Sequence, residues 1–168
     1  MIVAAWIFGG LGVLFNALIY QQTSRKRILS TKRIADCLWT AHYVFLSAFS
    51  GAGICAIGIL RETVFLKEDK KWAQGKRWLI FFLLLSIISA ILTWKNAFSI
   101  LPTAAATLSV FSFWKGDPKL TKILSYPISA CFMIYNLTCL SYMGIVNEMI
   151  VLVSTTVGLI RILKKDMR

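Results

Sequence analysis

A cluster of polar and aromatic side chains in the apolar stretch 34–50 has the composition of a solute-binding site. His42 lies near the middle of this stretch, Trp39 stands three positions before it, and Tyr43 follows it. Positions three and four apart share a face of a helix, so the imidazole and the phenol both lie beside the indole. Such a group could stack on a planar or sugar-like solute and hydrogen-bond it. The alternative is a buried His42 bonded to a neighbouring carbonyl or hydroxyl group.

Polar residues of the second half of the chain could complete this site. Tyr135, Asn136 and Asn147 each interrupt an apolar stretch, and polar groups at membrane depth are expensive and therefore site candidates by default. Asn also serves as interhelical glue, worth only about 1 kcal/mol, and we predict that role for Asn16. The predicted substrate-binding residues are Trp39, His42, Tyr43, Tyr135, Asn136 and Asn147.

Charged residues inside apolar stretches are candidates for a gate. Arg61 stands near the end of one stretch, and Asp36 enters another from the same side. Arg61 can snorkel to the membrane surface or pair with Asp36 across a helical hairpin, and we predict a cytoplasmic gate at these two residues. Arg61 and Glu62 are adjacent, and adjacent residues on a helix do not face each other, so we predict no pair between them. Glu148 could bind a proton or a cation, but we predict that it reaches the interface on the external side of the membrane that the chain crosses.

Enzyme chemistry is not predicted. The chain has one His and no pair of carboxylates at one depth, which leaves neither a catalytic triad nor a metal site. Four Cys residues, at positions 37, 55, 131 and 139, lack the spacing of zinc ligands and are predicted to pack in apolar segments. We therefore expect no catalysis, no metal and no cofactor.

The distribution of charge predicts how the chain is threaded. Of 19 Lys and Arg residues, 17 fall in four short segments. The basic segments are 25–33, 67–77, 115–122 and 161–168. They alternate with two connections of little charge, and loops rich in Lys and Arg stay on the cytoplasmic side of a membrane. Topology and anionic headgroups then explain the net charge of +12, and we predict no nucleic-acid partner.

Seven apolar stretches are predicted to cross a bacterial plasma membrane. With 58% hydrophobic residues and a mean hydropathy of +0.71, the chain is too apolar for an ordinary soluble domain. A membrane-spanning helix needs about 20 mostly apolar residues. The predicted spans are 2–20, 34–50, 51–66, 78–94, 97–114, 123–139 and 143–162. The N-terminus is then outside, the C-terminus is cytoplasmic, the lipid bilayer is a partner, and a homo-oligomer remains open.

The order of these segments predicts an internal duplication. A shift of 93 positions aligns span, basic segment, span, tight turn and span without a gap, and brings Gly51 onto Gly144. Each half has a group of three spans, here called a trio, and one further span separates the two trios. Both trios therefore enter the membrane in the same direction, as in repeats related by an axis along the membrane normal. The alternative is unrelated spans that merely share a charge rhythm.

The predicted fold is all-α, with seven transmembrane helices in a 3+1+3 arrangement of two parallel three-helix bundles. The predicted units are a first bundle in 1–77, a linker helix in 78–96 and a second bundle in 97–168. The short second and third spans are predicted to form a full hairpin, rather than a re-entrant pair, with its turn at Ser50 and Gly51.

Four short polar motifs are similar to those of a known family. They are YQQTSRKRIL at 20–29, LWxxHY at 38–43, GxLR at 58–61 and IYNL at 134–137. On these motifs the chain resembles the YgjV-type bacterial inner-membrane proteins over nearly its whole length. The resemblance implies location in the bacterial inner membrane and implies no particular reaction.

A more distant similarity concerns transport. The 3+1+3 plan and the pair Gln21 and Gln22 at the end of the first span resemble the PQ-loop and SWEET-like transporters, although Gln21 stands where that superfamily has proline. We expect a carrier of a small polar solute, passive or proton-coupled, with a midplane site between the bundles. The alternative is a scaffold that binds a partner or lipid through its basic segments.

Overall fold

The computed structural model describes residues 2–166, with side chains to residue 164, and this described part is helical without a strand. Two short 3-10 helices, Lys71–Ala73 and Ala97–Ser99, precede the fourth and fifth α-helices. The seven α-helices of the described chain are α1 Ile2–Gln21, α2 Arg25–Phe45, α3 Phe49–Phe65, α4 Lys76–Leu92, α5 Ile100–Lys115, α6 Pro118–Thr138 and α7 Tyr142–Asp166.

Three of the basic segments, 25–33, 115–122 and 161–168, lie largely on helices rather than in loops. The helix α2 begins at Arg25 and continues through 25–33 into the apolar stretch, because Lys and Arg are good helix formers and no Gly or Pro interrupts them. The helix α6 begins at Pro118, where proline fits the first helical turn. The side chain of Asp117 accepts a hydrogen bond of 2.9 Å from the Lys119 backbone N–H and caps this helix.

The turn between α2 and α3 lies earlier than predicted. The sequence predicts it at Ser50 and Gly51, but both residues lie inside α3, and the chain turns before Phe49, with Ser47 at a left-handed φ of 54°. The glycine at 51 serves close packing instead of a turn. A Cβ at this position would lie 3.0 Å from the ring of Tyr135 and 3.1 Å from the ring of Tyr43.

The backbone from α2 to the start of α3 recurs from α6 to the start of α7. Each boundary of α6 falls 93 residues after the corresponding boundary of α2, and α7 begins 93 residues after α3. The turn residues Ser47 and Leu140, also 93 apart, have φ angles of 54° and 53°. Equivalent hydrogen bonds close the two turns: Ala48 N–H to Tyr43 carbonyl and Ser141 N–H to Asn136 carbonyl, both 2.9 Å.

Six of the seven helices described form a closed ring. The helix α2 packs between α1 and α3, and α6 packs between α5 and α7. The ring closes where α1 packs on α7 and where α3 packs on α5. The helix α4 lies outside this ring, against α3 and α5.

Polar residues lie inside the ring and large apolar residues cover its outside. Asn16, Asp36, His42 and Asn136 are buried, whereas Leu11, Leu14 and Leu18 of α1 are exposed and α4 buries only Phe82 and Ser86. An apolar exterior of this kind is unfavourable in water and favourable in lipid. Among the described helices, three are long and apolar enough to cross a membrane: Ile2–Gln21, Ala97–Lys115 and Tyr142–Lys164. The helices α3 and α4 have 17 residues each, and α2 and α6 begin with basic turns.

Gly158 allows α7 to approach α1, and its replacement by alanine tests this packing. A Cβ at Gly158 would collide with the backbone carbonyl of Tyr20 and lie 2.7 Å from Cε of Lys122. Because a backbone atom cannot move aside, we expect Gly158→Ala to destabilise the protein by about 1–3 kcal/mol. Thermal unfolding in detergent measures this change. The matched variant is Gly10→Ala, where a Cβ meets nothing within 4 Å; equal midpoints for the two variants would contradict the prediction.

Candidate functional site

A cavity of about 60 Å³ lies inside the ring and is lined by all six ring helices. A water molecule needs at least about 10–15 Å³ of such space, so the cavity has room for a few waters or a solute of a few non-hydrogen atoms. Many lining side chains are polar. The lining includes Asn16, Tyr20, Lys32, Asp36, Trp39, Tyr43, Cys55, Ser109, Ser129, Asn147 and Glu148.

A chain of hydrogen bonds runs along one wall of the cavity. Asn16 of α1 donates to Asn147 of α7 (3.0 Å), and Asn147 donates to Glu148 (2.8 Å). Ser129 of α6 donates to the other carboxyl oxygen of Glu148 (2.5 Å). Glu148 is 6% exposed, so the prediction that it reaches the outer interface is wrong. The reason is tertiary: α7 packs between α6 and α1, which turns this side of the helix inward.

Two cations and two anions form a second polar group between α2 and α3. Lys32 and Asp36 are an ion pair one helical turn apart, and Arg61 Nη2 lies 3.9 Å from Asp36. Arg61 also donates to Glu62 at 2.6 and 3.1 Å, so the prediction that these neighbours do not pair is wrong. The flexible Arg61 side chain bends back to its neighbour because Glu62 is fully buried and needs a cation there. The structure thus brings together both predicted gate residues, Asp36 and Arg61.

The predicted site residue His42 is held by protein groups. Its Nδ1 lies 2.8 Å from the carbonyl of Ala5, and its Nε2 lies 2.8 Å from the hydroxyl of Ser141. The side chain is 1% exposed and does not line the cavity. These contacts correspond to the alternative of a buried, satisfied histidine. Its neighbours Trp39 and Tyr43 do line the cavity.

Tyr135 and Asn136 also lie outside the cavity lining. The hydroxyl of Tyr43 donates to Oδ1 of Asn136 (2.8 Å), and the hydroxyl of Tyr135 accepts from the N–H of Gly51 (3.0 Å). Tyr43 and Asn136 are 93 positions apart, so this bond joins equivalent positions of the two halves. Tyr135 faces a second, larger cavity of about 760 Å³ beside the turn that ends α2.

Polar contacts between the halves lie at both ends of the ring. At one end, Arg25 donates to the Phe113 carbonyl (3.1 Å), and Lys122 donates to the Gln22 carbonyl (2.9 Å). Arg25 also forms an ion pair with Glu68 of its own half. The contact from His42 to Ser141 and that from Tyr43 to Asn136 lie at the other end. The central cavity lies between these two layers of polar contacts.

Several lining residues escaped the sequence reasoning. Lys32 stands four positions before Asp36, a spacing that favours a helical ion pair, but it lies within a segment that the charge pattern predicts as a loop. The shift of 93 places Ser109 on Asn16 and Ser129 on Asp36, so both serines could have been found as partners of polar residues. Of the predicted substrate-binding residues, the cavity lining includes Trp39, Tyr43 and Asn147.

The chain matches a known protein family. Residues 3–166 match the model of a family described as bacterial inner membrane protein, Imp-YgjV. No curated protein and no solved structure matches the chain.

Proposed function

The chain belongs to the Imp-YgjV family of bacterial inner membrane proteins, and we propose that it carries a small polar solute across that membrane through the central cavity. The observation that carries the proposal is a cavity with many polar lining side chains at the centre of a ring whose outside is apolar. Carriers built from repeats bind their substrates in such a position, at the interface between the repeats. No catalytic role is proposed.

The proposed topology has seven crossings, an outside N-terminus and a cytoplasmic C-terminus. Contacts made by the basic segments support it: Arg25 pairs with Glu68 and reaches the carbonyl of Phe113, two residues before 115–122. Arg161 donates to Gln21, four residues before 25–33 (2.7 Å). These contacts gather the basic segments at one end, where the cytoplasm and anionic lipid headgroups favour them.

The proposed arrangement is 3+1+3, with α1–α3 and α5–α7 as parallel, SWEET-like trios and α4 as the linker. The shared backbone of residues 25–48 and 118–141 supports a duplication. The bond from Tyr43 to Asn136 supports a twofold axis between the halves, because equivalent residues of two repeats meet near the axis that relates them. Basic residues in the first turns of both α2 and α6 support an axis along the membrane normal, because both helices then enter from the cytoplasmic side.

The proposed solute site differs from the one predicted from sequence. Trp39, Tyr43 and Asn147 remain in it, and Asn16 and Ser109 are added. The indole N–H of Trp39 is buried without a partner among the described residues, and the Ser109 hydroxyl makes no hydrogen bond to them. Both can interact with a solute without first giving up a protein partner.

The remaining predicted residues are assigned to the two layers of polar contacts at the ends of the ring. His42, Tyr135 and Asn136 close the outer side, next to the larger cavity, which would be the vestibule. Asp36 and Arg61 form the inner gate, because their cluster lies on the side of the cavity toward the basic end.

A non-transporting scaffold is the second candidate. The observation in its favour is that His42 and Asn136 are packed against other protein groups, as a scaffold requires. Such a protein would bind an anionic lipid surface or a partner through exposed basic residues such as Lys26 and Arg77.

Ligand screening separates the two candidates. Purified protein is heated with small neutral, zwitterionic and cationic solutes, and a ligand at 100 times its Kd raises the free energy of unfolding by about 2.7 kcal/mol. We expect at least one solute to stabilise the protein and Ser109→Ala to weaken its binding about fivefold, the worth of one hydrogen bond.

The matched control is Ser89→Ala on α4, outside the cavity lining, which should leave solute binding unchanged. Uptake of the stabilising solute into proteoliposomes then tests transport. A screen in which no solute stabilises the wild-type protein, or equal binding to wild type and Ser109→Ala, would contradict the proposal.

A further inference from the structure

We propose that Glu148 binds and releases a proton as the cavity loads and empties, which makes the carrier proton-coupled. This inference rests on the proposed function, because it names the coupling ion of the same site.

Glu148 differs from the other buried carboxylates in its partners. Asp36 pairs with Lys32 and Arg61, and Glu62 pairs with Arg61. Glu148 is 6% exposed and accepts hydrogen bonds only from the neutral groups of Asn147 and Ser129; among the described residues it has no ion pair. Burying a lone carboxylate costs several kcal/mol, and uptake of a proton removes that cost.

The charges around the cavity favour the same assignment. Lys32 is the one cationic side chain in the described lining, and its ammonium group is paired with Asp36. The four charged groups of the cluster between α2 and α3 balance one another, so an ionised Glu148 leaves an uncompensated negative charge. No charged or titratable residue of α5 or α6 lines the cavity in the described chain. The titratable and charged lining groups that face the Glu148 cavity are Tyr20 of α1, Lys32, Asp36 and Tyr43 of α2, and Cys55 of α3.

The proton can change the contact between the two halves. A water molecule or hydronium ion gives its proton to a carboxyl oxygen of Glu148, and an O–H bond forms while the O–H bond of the donor breaks. The protonated carboxyl can donate to Ser129 at the present 2.5 Å, whereas the ionised carboxylate can only accept. Through Asn147 and Asn16, Glu148 is also joined to α1 of the other half. The protonation state therefore acts at the α1–α7 contact, where the halves must move.

Solute and proton are then coupled in both directions. A ligand that binds the protonated protein more tightly raises proton affinity by the same factor. The proton that enters with the solute leaves to water when the opposite side opens, and the carboxylate is restored.

Infrared spectroscopy of the full chain in liposomes tests proton binding without any solute. We expect the C=O stretching band of a buried, protonated carboxyl to fade as the pH rises and to be missing from Glu148→Gln. The amide that this substitution introduces resembles a protonated carboxyl in shape, so the variant should fold; Glu148→Asp, which shifts the band, is the second variant. The control is Asp69→Asn, which removes an exposed carboxyl paired with Lys26 and should leave the band unchanged.

A spectrum that Glu148→Gln leaves unchanged at every pH would overturn the proton site. A solute found by the ligand screen should accumulate about tenfold per pH unit of gradient if one proton moves with each solute. Glu148→Gln should lose this accumulation. Gradient-independent accumulation would overturn the coupling and leave transport intact. Failure of all solutes to bind, with a titrating band, would overturn transport and leave the proton site.

Discussion

Replacement of Arg61 by methionine is expected to destabilise the protein by about 3–5 kcal/mol, the usual effect of removing one partner of a buried ion pair. Arg61 donates two hydrogen bonds to Glu62, lies 3.9 Å from Asp36 and places its guanidinium 5.0 Å from the centre of the Phe113 ring. Methionine fills part of the space but leaves Glu62, which is fully buried, without its cation. Unfolding in detergent with increasing denaturant measures the loss.

A double variant identifies the physical cause of this loss. Arg61→Met with Glu62→Leu removes both charges, and replacing a whole buried pair by apolar side chains is often neutral, so we expect most of the stability to return. The control is Lys26→Met, which breaks the exposed pair with Asp69 and should have little measurable effect. A double variant as unstable as Arg61→Met would show that lost packing, and not the unpaired charge, is the cause.

Replacement of His42 by alanine is expected to destabilise the protein by about 3 kcal/mol, because a buried ring and two hydrogen bonds are lost. The ring packs so closely on α1 that a Cβ at Gly9 would lie 2.7 Å from Nδ1. His42 does not line the cavity, so binding of a solute found by screening should be unchanged once the protein is folded.

Parallel measurements of stability and binding test this assignment. The control is Tyr142→Ala, which removes an exposed ring at the start of α7 and should alter neither quantity. Normal stability with abolished solute binding for His42→Ala would instead support the direct substrate role that the sequence predicts.

Local sequence signals were sufficient to predict the family to which the chain belongs and its helical content. The motifs around residues 20–29 and 134–137 predict the inner-membrane family, and the family match over residues 3–166 confirms it. The described chain is all-helical, as the apolar stretches and basic segments predict. Helix boundaries were less predictable. The helix α2 begins at Arg25, before the predicted span, because Lys and Arg favour a helix whether or not they lie in a membrane.

The turn before α3 illustrates a different limit. A glycine often marks a turn, and the sequence alone favours that interpretation of Gly51. The turn instead uses Ser47 in a left-handed conformation, and the lack of a side chain at Gly51 admits the rings of Tyr43 and Tyr135. Close packing between distant segments and a tight turn both favour glycine, so the residue alone does not distinguish them.

The amino-acid sequence by itself determined that this chain is an inner-membrane helical protein, because hydropathy and family motifs are properties of consecutive residues. It also pointed to the polar residues that matter, since polar groups in apolar segments are expensive wherever they pack. Only the tertiary structure decided their partners: Arg61 pairs with Glu62, His42 bonds to Ala5 and Ser141, and Glu148 lines the cavity. Hydrogen bonds and ion pairs depend on ångström distances between helices that are far apart in the chain, and no local pattern specifies those distances.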